Sequence, residues 1–122
     1  MSMANRPDPR AGEVWDVRLG PGMGPEQTGT RPVLVVSGNW FNDLGSYLVM
    51  AVPITGTDRG LNYQVRIPGH EGGLSKNSIA MCEQARSTSV MRFDRKRGEV
   101  STVTLDAVQR MVSRIISRPT NP

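Results

Sequence analysis

Apolar and polar residues alternate from Glu13 to Leu19, with Trp15, Val17 and Leu19 on one side and Asp16 and Arg18 on the other, as in a half-buried strand. Pro32 to Ser37 and Ser46 to Ile54 are β-branched apolar runs bounded by Gly, Asn or Asp, which predicts two buried strands joined through a short turn or helical turn at Asn39 to Asp43. Tyr63 to Ile67 alternates again. Ser78 to Gln84 predicts another strand after the glycine-rich turn His70 to Gly73, and Lys96 to Ser101 a possible sixth. The period then changes. Leu105, Val108, Met111, Val112, Ile115 and Ile116 recur every 3.6 residues, which predicts a helix capped by Thr104, with Asp106 near its start and Arg114 and Arg118 near its end. Five or six short strands with one terminal helix make a mainly β protein: a strongly curved antiparallel sheet, closed or nearly so, with the helix over one opening.

Residues 20–31 interrupt this pattern with four glycines and two prolines, too many backbone breakers for regular structure and a longer span than a hairpin needs. Gly20-Pro21-Gly22-Met23-Gly24 is no phosphate-binding loop, since no Gly-Lys-Ser/Thr follows it and no helix opens there. Residues 1–11 and 119–122 read as a frayed arm and tail around a single domain over 12–118.

At 122 residues and 37% hydrophobic content, one modest core is expected rather than two. The single cysteine, Cys82, has no partner for an internal disulfide, and with one histidine, His70, no Cys/His zinc set can be assembled. A reducing compartment and chemistry without metal or cofactor are therefore expected. Neither a secretory h-region nor a membrane-spanning apolar run is present in this sequence. Fifteen Lys and Arg against eleven Asp and Glu, a formal charge of +4, make a polyanionic partner plausible. Trp15, Trp40 and Cys82 read as core residues, and His70 as an exposed turn residue.

Four separated pieces carry more specific information: Gly12-Glu13-Val14-Trp15, Glu26-Gln27-Thr28-Gly29-Thr30-Arg31-Pro32, Val52-Pro53-Ile54-Thr55 and Glu83-Gln84-Ala85-Arg86. In this order they resemble the MazF/PemK toxin family, and the resemblance spans about nine-tenths of the chain. It implies an SH3-like barrel, a homodimer in the bacterial cytoplasm, an acidic MazE-like antitoxin that blocks the RNA groove, and cleavage of single-stranded RNA at short sequences.

Metal-free RNA cleavage needs a base for the 2′-hydroxyl proton, an acid for the departing 5′-oxygen, and donors for charge building on the phosphoryl oxygens. A guanidinium suits the last role because it stays protonated and presents a planar fork, which points to Arg31. The family places an arginine and a threonine together at the positions of Arg31 and Thr55, and acidic residues of catalytic or binding function at those of Glu26 and Glu83. Either acid could be the base, and Glu83 could equally serve a structural ion pair. Gln27, Thr30, Gln84, Arg86, Arg95, Lys96 and Arg97 are expected to bind substrate, though the 92–97 stretch could equally meet an antitoxin or solvent. Thr30 and Met81 stand where some members carry histidine and arginine, so the general acid is left open. Two other readings are a gyrase poison of the same fold, which the absence of aromatics after Phe93 disfavours, and a non-catalytic RNA-binding barrel.

Overall fold

The computed structural model describes residues 5–18 and 29–118. Seven strands form one antiparallel sheet: β1 (Glu13–Arg18), β2 (Thr30–Val35), β3 (Leu48–Thr55), β4 (Val65–Ile67), β5 (Ser78–Ala80), β6 (Arg86–Ser89) and β7 (Phe93–Glu99). Their order is β4-β5-β3-β2-β1-β7, with β6 paired to the first half of β3. A short helix α1 (Asn39–Asn42) links β2 to β3, and the chain closes with α2 (Thr102–Ile116). No described helix is long and apolar enough to cross a membrane.

The expected single strand Ser78 to Gln84 is instead β5 followed by a 3-10 turn, Cys82–Gln84, and then β6, which the pattern reading missed. Pro53 supplies the reason. Met81 donates its N–H to the Pro53 carbonyl at 2.9 Å, but proline has no N–H to return, so the ladder loses a bond there. β3 faces Ala80 from Ile54 yet faces Arg86 from Ala51, a slip of three residues. The three extra residues are those of the turn, and they lift Glu83 out of the sheet.

The expectation of one core is also corrected. Val14, Leu34, Val36, Val52, Ile54, Ile67, Ala80, Cys82 and Val108 form a cluster under α2, while Val17, Val33, Val35, Val49, Ala51, Val90 and Phe93 form another. Successive residues of β2 and β3 fall alternately into the two, so the central strands are covered on both faces, as their unbroken apolar runs require. In β1 the expected division of faces fails for the same reason: Val14 and Asp16 are buried as well as Val17, and Trp15 is half-buried with its ring edge-on to Phe93. Cys82 is buried as expected, and desolvation, aided by Glu83, pushes its thiol pKa up to about 11. Trp40 is not a core residue: it stands 75% exposed on α1.

The sheet does not close strand to strand, but the turn after β4 leans onto β7. Gly72 donates its N–H to the Glu99 carbonyl at 2.9 Å, and the Arg97 guanidinium donates to the Gly73 carbonyl at 3.4 Å. Gly73 has φ 66°, and a Cβ there would stand 2.1 Å from the Arg97 carbonyl oxygen. The α2 cap is Ser101, not Thr104: the Ser101 hydroxyl accepts the Thr104 N–H at 3.1 Å, and Thr104 is buried one turn inside. A cap of this kind contributes about 1 kcal/mol. Asp106 pairs with Arg110 at 2.7 Å. Residues 6–11, expected to fray, are held down. Pro9 is buried, Arg10 forks onto both Asp43 oxygens at 2.6 and 3.1 Å, and Ala11 donates its N–H to Asn39 Oδ1 at 2.9 Å.

Candidate active site

β2 and β3 pair Val33 with Pro53. Beyond that pair, Arg31 near the start of β2 pairs with Val17 of β1, and Thr55 at the end of β3 pairs with Ile79 of β5. Both side chains border one recess of about 310 Å³, whose other walls are the segment after β3 (Thr57, Arg59, Leu61, Tyr63, Gln64) and the turn after β5 (Met81, Glu83, Gln84). The neighbouring ends of β2 and β3 bring the arginine and threonine to one recess, and the turn after β5 adds the glutamate.

Thr55 and Glu83 are each oriented by a neighbour. The Thr55 hydroxyl oxygen accepts the Thr57 N–H at 3.2 Å, a bond that uses one of its two lone pairs and leaves its own hydrogen available to donate. Glu83 Oε2 accepts a hydrogen bond from Gln64 Nε2 at 2.8 Å. A neutral amide orients the carboxylate without adding a counter-charge. Glu83 is exposed.

The other expected site residues divide. Gln84 borders the recess. Arg97 borders a second, smaller recess that shares Thr55. Thr30, at the start of β2, and Arg86, at the start of β6, border neither. Glu26 and Gln27 lie outside the described residues. Arg95 and Lys96 are taken up by the sheet's own acids. Arg95 and Arg97 approach Asp16 at 3.6 and 3.3 Å, and Lys96 reaches Glu13 at 2.9 Å. The 92–97 stretch is thus no hairpin: residues 93–97 belong to β7, where Arg95 and Lys96 stay exposed. Its charges answer two buried carboxylates that would otherwise be costly.

Burial works to raise the Glu13 pKa, but hydrogen bonds from Trp15 Nε1 (2.9 Å), Lys96 and the Arg10 N–H (2.7 Å) outweigh it and hold the group below its usual 4.5. A depressed carboxylate stabilises the fold fully above its unfolded value and ceases to do so as pH falls through the folded one. Urea unfolding of Glu13→Gln against the parent is therefore expected to show a deficit at pH 7 that shrinks below pH 4.5. A deficit independent of pH would show that packing alone is at stake.

Thr57, Arg59, Leu61, Tyr63 and Gln64 were missed as site residues. Their signal was length: nine residues separate β3 from β4, more than a tight connection uses. Among the described residues no three His, Cys, Asp or Glu side chains converge as a metal site would require.

Comparison with known proteins agrees with this arrangement. The family model described as PemK-like, MazF-like toxin of type II toxin-antitoxin system matches residues 10–116. Endoribonuclease MazF9 of Mycobacterium tuberculosis is 35% identical over 101 residues, covering 79% of this chain and 86% of that protein. Endoribonuclease PemK of Escherichia coli is 35% identical over 95 residues, covering 75% and 69%. Among solved structures, a MazE–MazF complex from Deinococcus radiodurans superposes with TM-score 0.75 at 27% identity, covering 90% of this chain and 96% of the other. MazF from the same organism gives 0.74 at 26% identity, covering 90% and 97%. With the family model spanning nearly all of the described sheet and helix, the chain belongs to the PemK-like, MazF-like toxins of type II toxin–antitoxin systems.

Proposed function

We propose that the chain is a metal-independent endoribonuclease toxin that cleaves single-stranded RNA in the recess between Arg31, Thr55 and Glu83. The observation that carries the reading is that Arg31, Thr55 and Glu83 border one recess. The relatives named endoribonucleases support it.

The ribose 2′-oxygen attacks the adjacent phosphorus as Glu83 takes its proton. The phosphorus–O5′ bond breaks, and the departing oxygen takes a proton from solvent water, leaving a 2′,3′-cyclic phosphate and a 5′-hydroxyl. Arg31 and Thr55 donate hydrogen bonds to the non-bridging oxygens, where negative charge grows in the transition state. Glu26 is the alternative base.

The toxin acts in the cytoplasm as a homodimer, a pairing that the exposed apolar side chains Leu44, Leu48, Ile115 and Ile116 support. An acidic antitoxin segment would meet the cations of the groove, Arg31, Arg59 and Arg97. The complex described for the Deinococcus radiodurans relative supports such a partner.

The test is incubation of purified protein with a long single-stranded RNA in EDTA, with mapping of the ends. Discrete fragments ending in 2′,3′-cyclic phosphate are expected, and light scattering of the same preparation should give the mass of two chains. RNA that is bound but left intact would favour the non-catalytic barrel. Cleavage restored only by added Mg²⁺ would overturn metal independence.

A further inference from the structure

Thr55 borders two recesses. The second, about 160 Å³, is walled by Pro32, Gly56, Ser75, Lys76, Ser78 and Arg97. Its cation lies directly over the backbone beside Thr55: a Cβ built on Gly56 would stand 2.7 Å from Lys76 Cε and 2.8 Å from Nζ. The ammonium occupies that position only because residue 56 has no side chain.

The base of this lysine is fixed. Ser78 Oγ donates to the Lys76 carbonyl at 3.1 Å, and Asn77 Oδ1 accepts the Gly69 N–H at 2.7 Å, which ties the 76–78 bend to the turn after β4. No carboxylate pairs with Lys76 among the described residues, whereas Arg97 across the recess is shared with Asp16 at 3.3 Å and the Gly73 carbonyl at 3.4 Å.

We propose that Lys76 binds the phosphate next to the scissile one, so that the RNA strand passes over Thr55 from the first recess into the second. This rests on the nuclease reading above and adds a binding residue to it. An ammonium is a point charge on a flexible stem, without the planar fork that fits a guanidinium to a phosphorane. Lys76 therefore holds substrate and transition state alike, and its loss raises KM while kcat stays nearly unchanged.

The experiment measures binding of a non-cleavable 2′-O-methyl oligoribonucleotide by fluorescence anisotropy between about 50 and 200 mM salt. Lys76→Ala is expected to reduce the slope of log affinity against log salt by about 0.7, the value of one single-strand phosphate contact. Lys76→Arg should preserve the slope. Gly56→Ala, whose φ suits alanine and whose methyl displaces only the tip of Lys76, should weaken binding with no change in charge. Arg114→Ala, which removes an exposed cation from the last turn of α2, should leave the slope as it is. A Lys76→Ala slope equal to the parent's overturns the proposal, even if that variant loses affinity for an acidic peptide. An Arg114→Ala slope that falls as far as the Lys76→Ala slope overturns it too, since the effect is then net charge. A parent protein that does not bind the RNA at all removes the nuclease reading itself, a different failure.

Discussion

Replacing Arg31 by alanine is expected to lower the rate of RNA cleavage by on the order of 100-fold or more, while RNA affinity falls far less. The asymmetry follows from where charge appears. In the ground state the phosphodiester carries one negative charge, which Arg59, Lys76 and Arg97 around the two recesses also attract. In the proposed reaction charge accumulates on the phosphoryl oxygens as the 2′-oxygen closes on phosphorus, and a guanidinium and a hydroxyl bordering the same recess are the donors suited to meet it. Single-turnover cleavage and anisotropy binding on the same RNA separate the two quantities. Equal losses in both would mean that Arg31 only holds the strand, and the chain would be a binding module. Arg31→Lys should recover binding more fully than turnover, since it restores charge without the fork.

The second large effect concerns the joint that brings the sheet round on itself. Gly73→Ala should cost on the order of 3 kcal/mol or more, from a left-handed backbone and a backbone clash together. At φ 66° an alanine is already strained, and its methyl would meet the Arg97 carbonyl at 2.1 Å. That oxygen belongs to a paired strand and has no rotamer to escape into, so the turn must lift away from β7, weakening the Gly72 bond to Glu99. Gly45 is the control: its φ of 81° is equally left-handed, but a Cβ there meets nothing within 4 Å. Gly45→Ala should cost about 1 kcal/mol. Urea midpoints for the two variants measure the difference, and equal losses would show that contact with β7 contributes nothing.

The strands and the helix could be read where one residue's neighbours in sequence decide its environment. The β-branched runs of β2 and β3 and the 3.6-residue stripe of α2 are of this kind. What escaped was decided across the sheet. Arg86–Ser89 carries no apolar alternation and is a strand because Leu48–Ala51 offers it an edge. Cys82-Glu83-Gln84 looks like a strand continuing, and only the missing N–H of Pro53, nearly thirty residues earlier, turns it outward. The capping serine was missed because the apolar stripe starts at Leu105, whereas the helical backbone starts at Thr102.

The candidate site shows the same division. Arg31, Thr55 and Glu83 could be named because they stand in the motifs, whereas the pairing of Lys96 with Glu13 could not be read, because the two lie far apart in sequence on neighbouring strands. The segment 56–64 contributes side chains to the recess without contributing to either core. Nothing in its hydropathy distinguishes such a wall from an ordinary connection.

The sulfhydryl under α2 has one more consequence. Attack on disulfides or alkylating agents proceeds through the thiolate, and the folded chain keeps Cys82 both protonated near neutrality and sealed from reagents. Covalent damage at this sulfur must wait until the 82–84 turn opens. Crosslinked or capped chains are then a record of molecules that had already come apart, and those that stayed folded pass through an oxidising episode with this atom untouched.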